Sequence, residues 1–284
     1  MKKVFTILVF LCFSVKGFSQ ADSLQLKKST DTAVTKISKD DVDSNDWHHG
    51  FPDWKHMRNM HDMASMHHPW NKKVKPANIS TNWLIIDLGF SNFNDKTNYG
   101  SASTQAFAPG STSDWFKLKN SKSVDVNIWF FMQRLNVYKH VVNLKYGLGI
   151  ELNNYRYRDN IKYLVNPTEV IMDTISYTKN KLAADYVTVP VMINFNFTPN
   201  RKDGFGISFG ASAGYLYSSR QKTISGEFGK KKEFDDFDLN PWKISWIAEA
   251  QLGPVKLYGS LATKSMFNKG LNQVPYTIGI RLSN

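Results

Sequence analysis

Six of the seven histidines fall between positions 48 and 68, with Met57, Met60, Met63 and Met66 among them. If Asp53 to His67 is helical after Pro52, then His56, Met60, Met63 and His67 recur at i, i+4, i+7 and i+11 on one face. Imidazole with thioether suits copper, Cu(I) above all, and the histidines alone would take Zn. Nothing beyond composition anchors this ligand set, so the stretch also reads as an amphipathic docking helix. Other reactive groups are sparse. The remaining histidine is His140, beside a short connection, so a general base for acyl transfer or proteolysis is missing where it would be needed. Asp235, Asp236 and Asp238 stand near Lys230, Lys231 and Lys232, which reads as a solvated charge run, with calcium binding as the alternative. Pairs such as Gly147/Gly149 lie within alternating strands, where they give room rather than cradle phosphate. The roles that catalysis requires are not assembled, and no enzyme is expected.

The elements that carry these residues can be read from composition. The chain of 284 residues has 36 Lys+Arg against 24 Asp+Glu, 42% hydrophobic and 14% aromatic residues. Mean hydropathy is −0.39, and no apolar run reaches the roughly 18–20 residues of a membrane helix. A polytopic helical membrane protein is excluded; a β-barrel is not, because its strands alternate. Residues 1–19 read as a signal peptide: Lys2 and Lys3 precede the apolar stretch from Val4 to Phe13, and Gly17-Phe18-Ser19 precedes Gln20. Its removal takes Cys12 and leaves no cysteine, hence no disulfide, thiol chemistry or Cys-ligated zinc. Residues 20–81 form a periplasmic extension expected to be mostly flexible, hydrophilic as far as Asp46 and His/Met-rich over 47–70.

From Asn82 onward the hydrophobic period is two. Leu84 to Phe90, Val124 to Met132, Val142 to Leu152, Val187 to Phe197 and Phe205 to Tyr215 alternate apolar with polar or small residues. Trp242 to Ala248, Val255 to Leu261 and Tyr276 to Leu282 repeat the theme. The connections 94–123, 135–139, 159–181, 199–203, 219–241, 253–254 and 265–273 alternate long and short without exception. Residues 82–284 are therefore expected to form an all-β, eight-stranded antiparallel up-and-down transmembrane β-barrel in the outer membrane. Long loops would lie outside, and the C-terminus and extension in the periplasm.

One alternating set is almost wholly apolar and the other is Gly, Ser, Asn and charge, the reverse of a soluble ligand-carrying barrel. Aromatics cluster at strand ends: Phe93, Tyr155, Tyr157, Tyr215, Tyr217, Trp242 and Tyr276 at one rim, Trp83, Tyr138, Phe197 and Phe205 at the other. The inward set holds Asp87, Asp125, Glu151 and Glu249 opposed by Lys145, Lys243, Lys256, Lys264 and Arg281. Eight strands enclose just enough space for side chains, so these charges should pair and brace the cylinder; a selective proton or ion path is the alternative. No large pore is expected. Nucleic acid is not an expected partner. Arg156, Arg158 and Lys162, next to Tyr155 and Tyr157, are the expected contacts to anionic lipopolysaccharide.

The stretch Tyr186-Val187-Thr188-Val189-Pro190-Val191-Met192-Ile193-Asn194-Phe195 comes after a long loop and runs apolar–Pro–apolar into alternating Asn and Phe. With the glycine-rich strand Gly204 to Tyr215, it resembles the PorT-like outer-membrane β-barrel family of Bacteroidota over roughly residues 82–284. The resemblance implies a non-enzymatic structural or interaction role, with some relatives serving the type IX secretion apparatus. Small-solute or ion transport, and Cu or Zn binding by the His/Met-rich segment, are the alternatives. The chain ends in Arg281-Leu282-Ser283-Asn284, without the terminal aromatic of many outer-membrane barrels.

Overall fold

Side chains alternating at period two point to opposite faces of a strand, and here every such segment finds an antiparallel partner on each side. The computed structural model describes residues 74–201 and 203–283. The expected signal peptide, residues 1–19, and the set His56, Met60, Met63 and His67 lie outside the described residues. The wall of the barrel is β1 (Ile79–Asp95), β2 (Val124–Tyr138), β3 (Val142–Tyr157), β6 (Tyr177–Asn196), β7 (Phe205–Ser225), β9 (Trp242–Leu252), β10 (Val255–Ala262) and β11 (Gln273–Leu282). Each pairs with the next in that order, and β11 returns to β1, closing a ring of eight strands. Closure leaves the ring no unpaired edge.

Three small strands lie at the long-loop end: β4 (Ile161–Tyr163), β5 (Val170–Met172) and β8 (Gly229–Phe234). β4 and β5 form a separate hairpin, and β8 pairs with Arg220–Ser225 of β7. The lower part of β7, Phe205–Tyr215, pairs with β9. Strands β6 and β7 are 20 and 21 residues long, whereas about 9–11 tilted residues cross a bilayer core. Both therefore extend well past the apolar band. Residues 177–181 and 219–225, expected in loops, are strand; apart from Tyr177 and Ile224 their side chains are polar on both faces, so hydrophobic periodicity is silent there.

The short connections use turn chemistry. Lys139 and His140 both have positive φ (46° and 57°), the pairing a two-residue hairpin turn requires, and the His140 N–H donates to Asn136 Oδ1 at 2.7 Å. His140 is thus a turn residue.

The outward set is apolar and uncovered: Ile278 is 65% exposed and Trp246 63%, while Asp87 and Asn153 inside are 0% exposed. One detail departs from strict alternation. The β2–β3 register shifts between Trp129↔Gly149 and Phe131↔Leu148, leaving Phe130 bulged, and Leu84 on the neighbouring β1 has positive φ (52°). A bulge shifts the parity of the residues beyond it, so Met132 turns into the lumen beside Ile85 and Trp129, although the alternation alone puts it outside.

Candidate functional site

The lumen is built in three layers, each set by the inward residues of the ring. At the short-turn end lies a polar cup of about 460 Å³. Its wall includes Asn82, Arg134, Asn194, Gln251 and Lys256. Lys256 Nζ donates to Ser283 Oγ.

The middle layer is ionic and almost fully buried. Arg281 Nε meets Asp87 Oδ1 at 2.7 Å and its Nη2 donates to Asp87 Oδ2 at 2.8 Å. Its third arm, Nη1, pairs with Glu249, whose other oxygen accepts from Lys145 Nζ at 2.6 Å. Lys243 Nζ meets Glu151 Oε2 at 2.7 Å. One guanidinium therefore ties β11 to β1 and β9, and Lys145 carries the link to β3. Neutral donors complete the layer. Trp129 Nε1 donates to Asp87 Oδ2 at 2.7 Å, and the Tyr258 hydroxyl donates to Asp125. Tyr258 reaches that position because Gly89 and Gly279 face each other across β1 and β11. A Cβ on Gly279 would meet Leu88 O at 2.3 Å and the Tyr258 ring at 2.6 Å.

Two of the expected lumen charges stand outside the ion-paired layer. Lys256 lines the cup rather than pairing with an acid among the described residues. Lys264 is exposed at the long-loop rim, because β10 ends at Ala262 and the chain turns outward before reaching it.

The third layer is an aromatic cap at the long-loop end, made by the connections themselves. Phe107 and Phe116 come from the first long connection, Tyr163 from β4, Phe237 from the connection after β8, and Phe267 from the last. They pack on Tyr155, Tyr157 and Leu182 of the ring. Tyr163 stacks on Phe267 with centroids 6.2 Å apart and shares a hydroxyl hydrogen bond of 2.8 Å with Tyr157. The rim places expected for Tyr155 and Tyr157 are thus corrected: both point inward, and Phe93 packs against Tyr155 at 6.0 Å. Their parity is that of Glu151 and Asn153, which the sequence showed. Burial pushes the Tyr163 hydroxyl well above its ordinary pKa.

The cap also fixes where the residues of two surface expectations stand. The backbone of Asp236 and Asp238 is held by the Asp235 and Asp236 carboxylates, shaping a turn around fully buried Phe237. Of the cations expected to meet lipopolysaccharide, Arg156 is on the outer wall, while Arg158 Nε donates to Leu118 O at 3.0 Å. Lys162 sits on β4 between Ile161 and Tyr163, both buried in the cap. The sequence missed the cap because its residues have no period. The available trace was that the long connections carry large aromatics in place of the small polar residues of solvated loops.

Among curated protein sequences none matches this chain. Of solved structures, the crystal structure of Ail, the attachment invasion locus protein of Yersinia pestis, aligns over 71% of this chain and 98% of its own. Identity there is 10% and the TM-score 0.29, which carries no argument. A family model, the outer membrane protein beta-barrel domain, matches residues 87–274, from the first lumen aspartate into β11. That span is more than half the chain and contains the ionic layer and the cap connections, and so the chain belongs to the outer membrane protein beta-barrel domain family.

Proposed function

We propose that this protein is a non-conducting, non-enzymatic barrel of the outer membrane that works through its surfaces, with the capped end facing the cell exterior. The observation that carries this reading is the double closure of the lumen. A layer of paired charges spans the barrel, and an aromatic cap lies above it. An ion entering the cup would meet Arg281, Lys145 and Lys243 already engaged with Asp87, Glu249 and Glu151, and moving a buried pair apart costs several kcal/mol. Membrane barrels keep short turns on the periplasmic side, which supports this orientation and, with it, a periplasmic N-terminal extension.

The ordered cap offers a rigid platform for a protein partner. The resemblance to the PorT-like family makes an accessory role in a secretion apparatus the leading specific reading. Purified protein in planar bilayers tests the closure: no steady conductance is expected, and a large, stable current would overturn the reading. Deleting 226–241, which removes β8 and the connection that carries Phe237, is expected to abolish co-purification with secretion components while the barrel still inserts. Undiminished co-purification would remove the cap from that role.

A further inference from the structure

Past the apolar band, the outer wall of the long-loop end carries a band of positive charge. Register sets Arg156 of β3 opposite Lys181 of β6, Lys181 opposite Lys222 of β7, and Lys222 opposite Lys232 of β8. Four cations thus form one row across four adjacent strands. The next row adds Lys179 and Lys230, both opposite Ile224. The alternate residues of the same strands, Asn180, Leu182 and Gln221, are buried against the cap, so the cations all lie on the outside.

Like charges directly opposed on neighbouring strands destabilise a sheet, and acids do not relieve this row. Asp185 is two rows further down and is taken by Arg220. Glu233 alternates to the other face of β8, opposite Gln221. Among the described residues, no carboxylate forms an ion pair with Arg156, Lys181, Lys222 or Lys232. Arg156 spends one arm on Thr178 O at 2.9 Å and leaves Nε buried without a partner. Such an arrangement is stable when an anion is supplied from outside.

The position of the row identifies the anion's source. Phe234, exposed on the same wall, lies just below it, paired with Arg220 two residues or about 7 Å of strand below Lys222; Tyr217, also exposed, follows three residues further down β7. Exposed aromatics of this kind mark the membrane interface. The row therefore sits at headgroup height and faces sideways into the leaflet, not upward from a loop tip. We propose that Arg156, Lys181, Lys222 and Lys232 bind the phosphate groups of outer-leaflet lipopolysaccharide. Arginine supplies a planar fork and the lysines point charges, both suited to phosphate oxygens. The inference rests on the orientation proposed above.

The test compares full-length protein in detergent with a Lys181→Gln/Lys222→Gln/Lys232→Gln variant and a charge-matched control, Lys96→Gln/Lys122→Gln/Lys264→Gln. Binding is measured to purified lipopolysaccharide, to the same lipid after dephosphorylation, and to soluble polyphosphate. The row variant is expected to bind intact lipopolysaccharide at least tenfold more weakly, with the control unchanged and the dephosphorylated lipid bound weakly by all three. Because repulsion is relieved, the row variant should also unfold at higher denaturant than wild type, which separates lost binding from misfolding. Equal binding by the row variant and wild type would overturn the proposal. So would wild-type binding to dephosphorylated lipid as tight as to the intact form, and polyphosphate bound more tightly than the lipid would overturn the lipid as source. Orientation is read separately, by labelling Lys230→Cys on intact cells with a membrane-impermeant maleimide; protection there would refute the orientation without altering the detergent result.

Discussion

Replacing Arg281 with Met asks how much one side chain braces the cylinder. The wild-type guanidinium gives two arms to Asp87, at 2.7 and 2.8 Å, and one to Glu249. After its removal Glu249 still has Lys145 at 2.6 Å, but Asp87, 0% exposed, has only the neutral Trp129 N–H. A buried ion stripped of its counter-charge costs about 3–5 kcal/mol, and this one cannot swing into water. A loss of about that size is expected in urea unfolding of the barrel refolded into lipid vesicles, monitored by tryptophan fluorescence and heat-modifiable migration. Adding Asp87→Asn removes the stranded charge and should recover more than half of the loss, giving a coupling of about 2 kcal/mol or more between the two sites. Adding Glu249→Gln instead strands Lys145 and should recover nothing. An Arg281→Met barrel within about 0.5 kcal/mol of wild type, the scale of an ordinary surface change, would refute the reasoning. So would failure of Asp87→Asn to rescue it.

The other two layers carry expectations of their own. Gly279→Val should push the Tyr258 ring off Gly89 and Gly279 and break its hydrogen bond to Asp125, costing about 1–3 kcal/mol by overpacking in the same unfolding assay. Phe237→Ala empties the centre of the cap, where a buried Phe is worth about 3–5 kcal/mol, and should open residues 226–241 to protease while the ring remains heat-modifiable. The Tyr163 hydroxyl has its pKa raised by burial, so the cap's contribution is complete below about pH 10, the unfolded value, and is lost as pH rises through the higher folded value. Cap protection against protease should therefore fall at strongly alkaline pH in wild type, and Tyr163→Phe should delay that fall.

How far the sequence carried the structure depended on whether residues shared a period. Alternation placed the strands, since burying one face and exposing the other allows only one parity for segments such as Val142 to Leu152. It also placed Asp87, Glu151, Lys145, Lys243, Glu249 and Arg281 in the lumen, because each sits between outward-facing apolar neighbours. Parity failed where the backbone skips a residue, as at Phe130, and with it the place of Met132. Lys264 was misplaced for a related reason: alternation was carried past the end of β10. The cap was invisible because Phe107, Tyr163, Phe237 and Phe267 come together from four separate connections, a non-local packing that no local pattern records. The cationic row was hidden likewise, since Arg156, Lys181, Lys222 and Lys232 align only once the register of four strands is known.

The central claim is that the apolar alternating set touches lipid while the polar set fills the axis, and single cysteines read it directly in a chain whose sole cysteine is Cys12, well before β1. In lipid vesicles, Val191→Cys and Ile278→Cys should resist a water-borne maleimide, and Gln251→Cys, on the wall of the cup, should react. Rapid aqueous labelling at Val191 and Ile278, with Gln251 protected, would contradict the account.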